Sequence, residues 1–375
     1  MIRLKNIKIR EDLTEEQVFE RAIAKNKIKL DEVEKWHIYK KSIDARKKDD
    51  IHYNYTIDVE LKNKKRETKF EQVQEQKWET IKVNRKSEYK PVIIGMGPAG
   101  LFAGILLVDN GIKPIILERG KCVEERIRDV EEFAQNRKFS TTSNIQFGEG
   151  GAGTFSDGKL NTGNSANMYS QKVLEEFVRF GAPKEILYTA KPHIGTDNLR
   201  KIVKNMREYI ISKGGQVLFN TQATDFESED GKIKAVICEN NKIETDAVIL
   251  AIGHSARDTF KMLDSKDIMM EPKSFAVGLR IMHTQEFINE NAYGKCEYKL
   301  PTADYKVTYK SVSTGKERGV YSFCMCPGGY VVNASSEENM LAVNGMSYSG
   351  RDSANANSAM IVTVTPDDFG NGVLD

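Results

Sequence analysis

Tryptophan occurs twice, proline nine times and cysteine five times in 375 residues. An odd handful of cysteines without a CxxC pair excludes a disulfide-stapled scaffold and fits a reducing compartment. His37, His52, His193, His254 and His283 fall at no metal-ligand spacing, so no metal centre is expected. Neither sign of charge prevails: 56 Lys and Arg against 54 Asp and Glu leave +2, too little for a dedicated nucleic-acid binder. Long apolar runs are also missing. The uncharged stretch from Val92 to Val108 is broken by Gly95-Met96-Gly97-Pro98 and falls short of the roughly 20 residues a membrane span needs. No apolar stretch follows Met1-Ile2-Arg3-Leu4-Lys5, so a cytoplasmic protein with neither signal nor transit peptide is expected.

What is present is organised. The length leaves room for two or three domains and a core large enough to enclose a cofactor. Ile2 to Ile9 alternates as a half-buried strand, Thr14-Glu15-Glu16-Gln17 opens a helix with a capping box, and Ile51 to Leu61 alternates again. This α+β module is lysine-rich, with Arg46-Lys47-Lys48 and Lys62, Lys64, Lys65 and Arg66 close together; charged, helix-compatible residues then lead to Lys90. Further on, Leu199, Ile202, Val203, Met206, Tyr209 and Ile210 recur at helical spacing until Gly214-Gly215. Strands follow at Gln216–Phe219, Ile233–Cys238, Ile243–Glu244 and Asp246–Gly253, the last apolar enough for the interior of a parallel sheet. Beyond residue 265 strand and turn signals dominate.

The run Val92-Ile93-Ile94-Gly95-Met96-Gly97-Pro98-Ala99-Gly100 reads as strand, glycine turn and helix start. Gly95 lets the chain fold back, Gly97 leaves room for a pyrophosphate, and Gly100 permits close helix–strand packing. Pro98 in the first turn forfeits no hydrogen bond, and the bare N–H groups there suit phosphate. Asn110-Gly111 ends the helix, Pro114 to Leu117 returns as a strand, and Glu118 stands 18 residues past Gly100, near the spacing of a ribose-binding carboxylate. Strand, helix and acid in register point to a bound dinucleotide.

The Pro98-Ala99 turn, Gly104, and the strand end Glu118-Arg119-Gly120 resemble the FAD fingerprint of glutathione-reductase-like flavoproteins, and Ala251-Ile252-Gly253 resembles their second signature. Phe147 to Leu160, His193-Ile194-Gly195-Thr196-Asp197 and Tyr321 to Gly329 resemble bacterial proteins called NAD(FAD)-utilising or FAD-dependent dehydrogenases. The resemblance spans essentially the whole chain. It implies an α/β architecture: a FAD-binding Rossmann-like domain of glutathione-reductase type, a small N-terminal α+β module and a β-rich substrate domain. The expected boundaries are 1–70 for the basic module, 71–90 for a connector, 91–264 for the FAD-binding domain and 265–375 for the substrate domain. Flavoproteins of this kind usually bring a late Gly-Asp or Gly-Glu segment back to the cofactor, and none is visible here. A substrate domain incomplete at its C-terminus is therefore expected.

FAD is the expected cofactor, held by Gly95, Gly97, Pro98, Ala99, Gly100, Glu118, Arg119, Gly150, Gly151, Ala152, Gly153, Ala251 and Gly253. The glycines at 148, 150, 151 and 153 remove side chains where backbone N–H groups could meet a flat ring. With a single dinucleotide motif, NAD(P)H is expected to bind transiently, or another donor serves. Candidates for chemistry are Lys159 and His254, beside the glycine clusters, and Cys324 and Cys326, whose spacing puts two thiols on one strand face. The expected function is a FAD-dependent oxidoreductase acting on a small molecule. Two alternatives stay open: a flavin-dependent RNA-modifying or RNA-binding protein using the basic module, and a NAD-binding dehydrogenase without flavin.

Overall fold

The computed structural model describes residues 1–370 apart from 75–77, 79–82, 84–85, 161–167, 240, 296–299 and 314. The chain forms two units, one from residues 1–80, 159–194 and 285–304, the other from 81–158, 195–284 and 305–375.

In the first unit, β1 (Ile2–Ile9), β2 (Val33–Asp44) and β3 (His52–Leu61) form an antiparallel sheet in the order β1-β3-β2. The helix Glu15–Lys25 closes one face, burying Val18, Phe19, Ala22 and Ile23 against Leu4, Ile57 and Val59. Its capping box forms as the sequence predicts: the Gln17 N–H donates to Thr14 Oγ1 and the Thr14 N–H to Gln17 Oε1. Strand β2 has no counterpart in the sequence reading. Register shifts between Val33 and Lys35 and between Ile38 and Lys40 break its two-residue period, which is the signal a strand is read from.

In the second unit, β4 (Val92–Ile94), β5 (Ile115–Leu117), β6 (Gln216–Leu218) and β10 (Val248–Leu250) run parallel in the order β10-β4-β5-β6. Helices Pro98–Asp109 and Thr196–Ser212 pack on one face, closely at Gly104. A Cβ at Gly104 would come within 2.9 Å of Ile116 and Ile210. A meander of β7 (Ala223–Glu229), β8 (Lys232–Cys238) and β9 (Asn241–Glu244) covers the other face, where Val236, Cys238 and Ile243 meet Val92, Ile94 and Leu117. Strand β10 is an edge strand rather than the interior one its composition suggests. Its Leu250 is 45% exposed, because the apolar run serves a cavity rim as well as the sheet.

The strand-rich C-terminal part is an antiparallel sheet in the order β11-β16-β13-β12, with a hairpin of β14 and β15. These strands are β11 (Phe275–Thr284), β12 (Thr308–Ser311), β13 (Arg318–Cys326), β14 (Tyr330–Asn333), β15 (Val343–Met346) and β16 (Asn355–Val364). Among the described residues, no helix is long and apolar enough to cross a membrane.

The first βα turn decides whether the parallel sheet forms. A Cβ at Gly100 would lie 2.0 Å from the Gly95 carbonyl oxygen, whereas one at Gly97 meets nothing nearer than Gly151 Cα at 3.9 Å. Gly100→Ala is therefore expected to lower unfolding free energy by about 2–3 kcal/mol, and Gly97→Ala by less than about 0.5 kcal/mol, in urea titrations.

Candidate functional site

A cavity of about 660 Å³ opens above the C-terminal ends of β4, β5 and β10, a size usual for small-molecule and cofactor sites. Its floor is the turn from β4 into the Pro98 helix. Gly95 adopts φ +98 and sits so close to β10 that a Cβ would come 2.4 Å from the Ala251 carbonyl oxygen. Opposite stands the 148–153 loop, tied down by hydrogen bonds from the Gly150 N–H to Met96 O (2.8 Å) and from the Gly151 N–H to Gly148 O (2.9 Å). Gly97 and Gly151 face each other across the floor, and a side chain at either would narrow it.

Glu118 holds these pieces together. Its buried carboxylate accepts from the N–H groups of Met96 (2.8 Å), Gly120 (2.9 Å) and Gly148 (3.1 Å). A carboxylate offers about four acceptor positions, so one remains for a hydroxyl in the cavity it lines. Arg119 also lines the cavity, over the Phe147 ring and bonded to Asp258 (3.0 Å) and Thr259 (3.2 Å).

Of the residues expected from sequence, Gly95, Gly97, Pro98, Ala99, Glu118, Arg119, Gly151, Ala152, Gly153, Ala251, Gly253 and His254 all line this cavity. Gly100 and Gly150 do not, for reasons of packing. Each is pressed against its surroundings, with the Gly95 carbonyl or Thr154 Oγ1 2.0 Å from where a Cβ would stand. Lys159 lies in the first unit, bridged to His193, and is not among the lining residues. Cys324 and Cys326 lie on β13, away from the cavity lining, with Cys326 buried and its thiol on the Cys324 carbonyl at 3.3 Å. His254 is exposed and shares a hydrogen bond with Ser255 Oγ at 2.8 Å.

The back of the 148–153 loop rests on charges that sequence reading missed. Arg126 is fully buried and donates to the carbonyls of Asn144 (2.8 Å), Ile145 (2.8 Å) and Glu149 (2.6 Å). Burial pulls its pKa down to about 10. Glu149, also buried, accepts through Oε2 from the Val123 N–H (2.7 Å) and Arg207 (2.8 Å). Arg207 is shared with Glu124. Desolvation outweighs Arg207 and pushes the Glu149 carboxyl up to about 7, while Arg207 draws Glu124 down to about 2. A charged residue inside a glycine run was the available signal for Glu149. Thr221 and Gln222, from the loop after β6, and Phe260 and Leu263, from the helix Arg257–Asp264, complete the wall, with no local signal for any of them.

The fold therefore presents a narrow cradle at a helix N-terminus, a carboxylate with an acceptor to spare, and an apolar wall. These features fit the diphosphate, ribose and adenine of a dinucleotide. Residues 274–375 match the family described as FAD-dependent protein, C-terminal domain-like, and residues 1–60 match a domain of unknown function, DUF8436. An uncharacterized protein of Clostridium beijerinckii is 45% identical over 380 residues, covering 98% of this chain and 70% of that protein. A D-amino acid dehydrogenase of Helicobacter pylori is 25% identical over 129 residues, covering 33% of this chain and 30% of the enzyme. A solved glycerol-3-phosphate dehydrogenase of Bacillus halodurans, complexed with FAD, superposes with a TM-score of 0.36 at 13% identity, over 74% of this chain and 48% of its own.

Glu149 gives this region a pH signature. Its raised pKa means the protonated form stabilises the fold: the contribution is complete below about 4.5 and is lost as pH rises through about 7. Between about pH 5 and 8 the melting temperature of the natural protein should fall relative to Glu149→Gln, whose neutral amide does not titrate. Parallel melting curves across that range would contradict the assignment.

Proposed function

We propose that this chain, which belongs to the family of the uncharacterized Clostridium beijerinckii protein, is a FAD-dependent oxidoreductase whose cavity residues hold the cofactor. When bound, FAD supplies hydride and electron transfer through its ring system. The chain supplies binding, orientation and exclusion of water.

The observation that carries the reading is the close approach of Gly97 and Gly151, which keeps the cavity floor free of side chains at the start of the Pro98 helix. Backbone N–H groups of that first turn receive the diphosphate, where the positive end of the helix favours negative charge. Glu118 offers its remaining acceptor to a ribose hydroxyl. Ala251, Gly253 and the side chains of Phe260 and Leu263 bound the adenine side. Ala152 and Gly153 extend the floor along the glycine loop, with Arg119 fixed at the rim. Residues 91–264 act as the FAD-binding domain and 265–375 as the substrate domain, in a cytoplasmic enzyme that takes a small-molecule substrate. A nicotinamide donor, where used, binds transiently, since the chain has a single dinucleotide-type glycine motif.

Purified protein should show the absorption bands of oxidised flavin, and denaturation should release FAD rather than FMN. Gly97→Ala, whose added Cβ meets nothing nearer than Gly151 Cα at 3.9 Å, should weaken FAD binding at least about tenfold with little change in melting temperature. Anaerobic mixing with NADH and NADPH in turn identifies the donor by bleaching. Colourless protein that takes up no added FAD would refute the reading.

A further inference from the structure

Outside the dinucleotide cavity, four strands converge on one guanidinium. Arg280 on β11 donates through Nη1 to Asn357 Oδ1 on β16 (2.5 Å) and to the Cys324 carbonyl on β13 (3.2 Å), and Nη2 reaches Asn344 Oδ1 on β15 at 3.4 Å. The backbone is shaped for this meeting. Cys324 takes φ +44 in the bulge between Phe323 and Cys326, a conformation uncommon outside glycine. A Cβ at Gly345 would come within 2.5 Å of Arg280 Nη1, Asn357 Oδ1 and Cys326 Sγ alike.

Among the described residues, every acceptor of Arg280 is neutral. Elsewhere in this chain the Nε and Nη2 edge of an arginine takes both oxygens of a carboxylate, as in Arg3 with Asp58 (2.7 and 2.7 Å), Arg46 with Asp44 (2.9 and 2.6 Å) and Arg351 with Asp157 (3.2 and 2.5 Å). At Arg280 that same edge faces no carboxylate among the described residues, and its Nε is buried without an acceptor. So is Nδ2 of Asn357, a residue with 0% of its surface exposed. A shielded cation with neutral partners and unpaired donors is costly, and a planar oxyanion is the group whose shape and charge offset that cost.

We propose that the Nε and Nη2 edge of Arg280 is a seat for the carboxylate of a small-molecule substrate. Asn357 and the Cys324 carbonyl fix the guanidinium plane through Nη1, and Nη2, which keeps one hydrogen on Asn344 at 3.4 Å, joins the unpaired Nε in reading two coplanar oxygens. The proposal rests on the oxidoreductase reading and narrows its substrates to carboxylic acids.

Calorimetric titration of FAD-loaded protein with sodium benzoate, at constant ionic strength set with chloride, tests it against benzamide as the neutral isostere. Benzoate should bind and benzamide should not. Arg280→Met should weaken benzoate binding about 10- to 100-fold, and Arg280→Lys, which keeps the charge but not the two-pronged edge, at least about tenfold. Asn357→Asp, which gives the guanidinium a carboxylate of its own, should abolish binding while raising the melting temperature. Equal affinity in natural protein and both Arg280 variants, benzamide binding as tightly as benzoate, or no benzoate binding by protein that retains FAD would each overturn the seat. Failure to take up FAD at all overturns the cofactor reading instead, and is seen in the spectrum before any titration.

Discussion

Three backbone N–H groups from three loops end on one buried carboxylate. Glu118 accepts from Met96 in the β4 turn, from Gly120 just past β5, and from Gly148 at the head of the glycine loop. Each of these groups would otherwise be a donor buried without a partner, and the carboxylate would be a charge without one. The cavity floor exists because these segments are held at that spacing. Gly97 opposes Gly151 as a consequence of where Glu118 stands, and the side-chain-free floor is a by-product of satisfying a buried acid.

The same logic continues outward. Glu149 ties the glycine loop to the start of the Val123 helix and, through Arg207, to the Thr196 helix. Arg126 gathers three carbonyls of residues 144–149. A loop rich in glycine is entropically costly to order, and polar bonds from two helices offset that cost where a hydrophobic side chain would fill the cavity. Charge and glycine are complementary here: one orders the loop, the other keeps it thin.

What the sequence makes legible is what is local. Strand, turn, helix, strand and acid from Val92 to Glu118 form one continuous stretch, so spacing alone orders them. The capping box at Thr14 and the helix starting near Asp197 are legible for the same reason. Strand β2 is hidden because its bulges break the period, and the edge position of β10 because composition does not report which neighbour a strand lacks. Gln222 and Phe260 reach the cavity through chain reversals that leave no trace in their own neighbourhoods. Residues 159–194 and 285–304 joining the N-terminal strands in one unit is likewise a property of contacts, which a linear division into consecutive segments cannot express.

Arg126 and Arg280 show how one side chain takes two roles. Both are arginines in protein-lined surroundings, and neither faces a carboxylate at salt-bridge distance among the described residues. Arg126 spends its donors on carbonyls that belong to the loop it supports; the result is scaffold, fully packed, with its guanidinium over Phe155. Arg280 is fixed through Nη1 and Nη2 and unsatisfied at Nε. An unpaired donor inside a protein calls for an explanation, and the bound anion proposed for Arg280 is one. The glycine at 345 and the left-handed turn at Cys324 both give up backbone stability to hold Arg280 where it is, which is the expected mark of a site rather than of a packing accident.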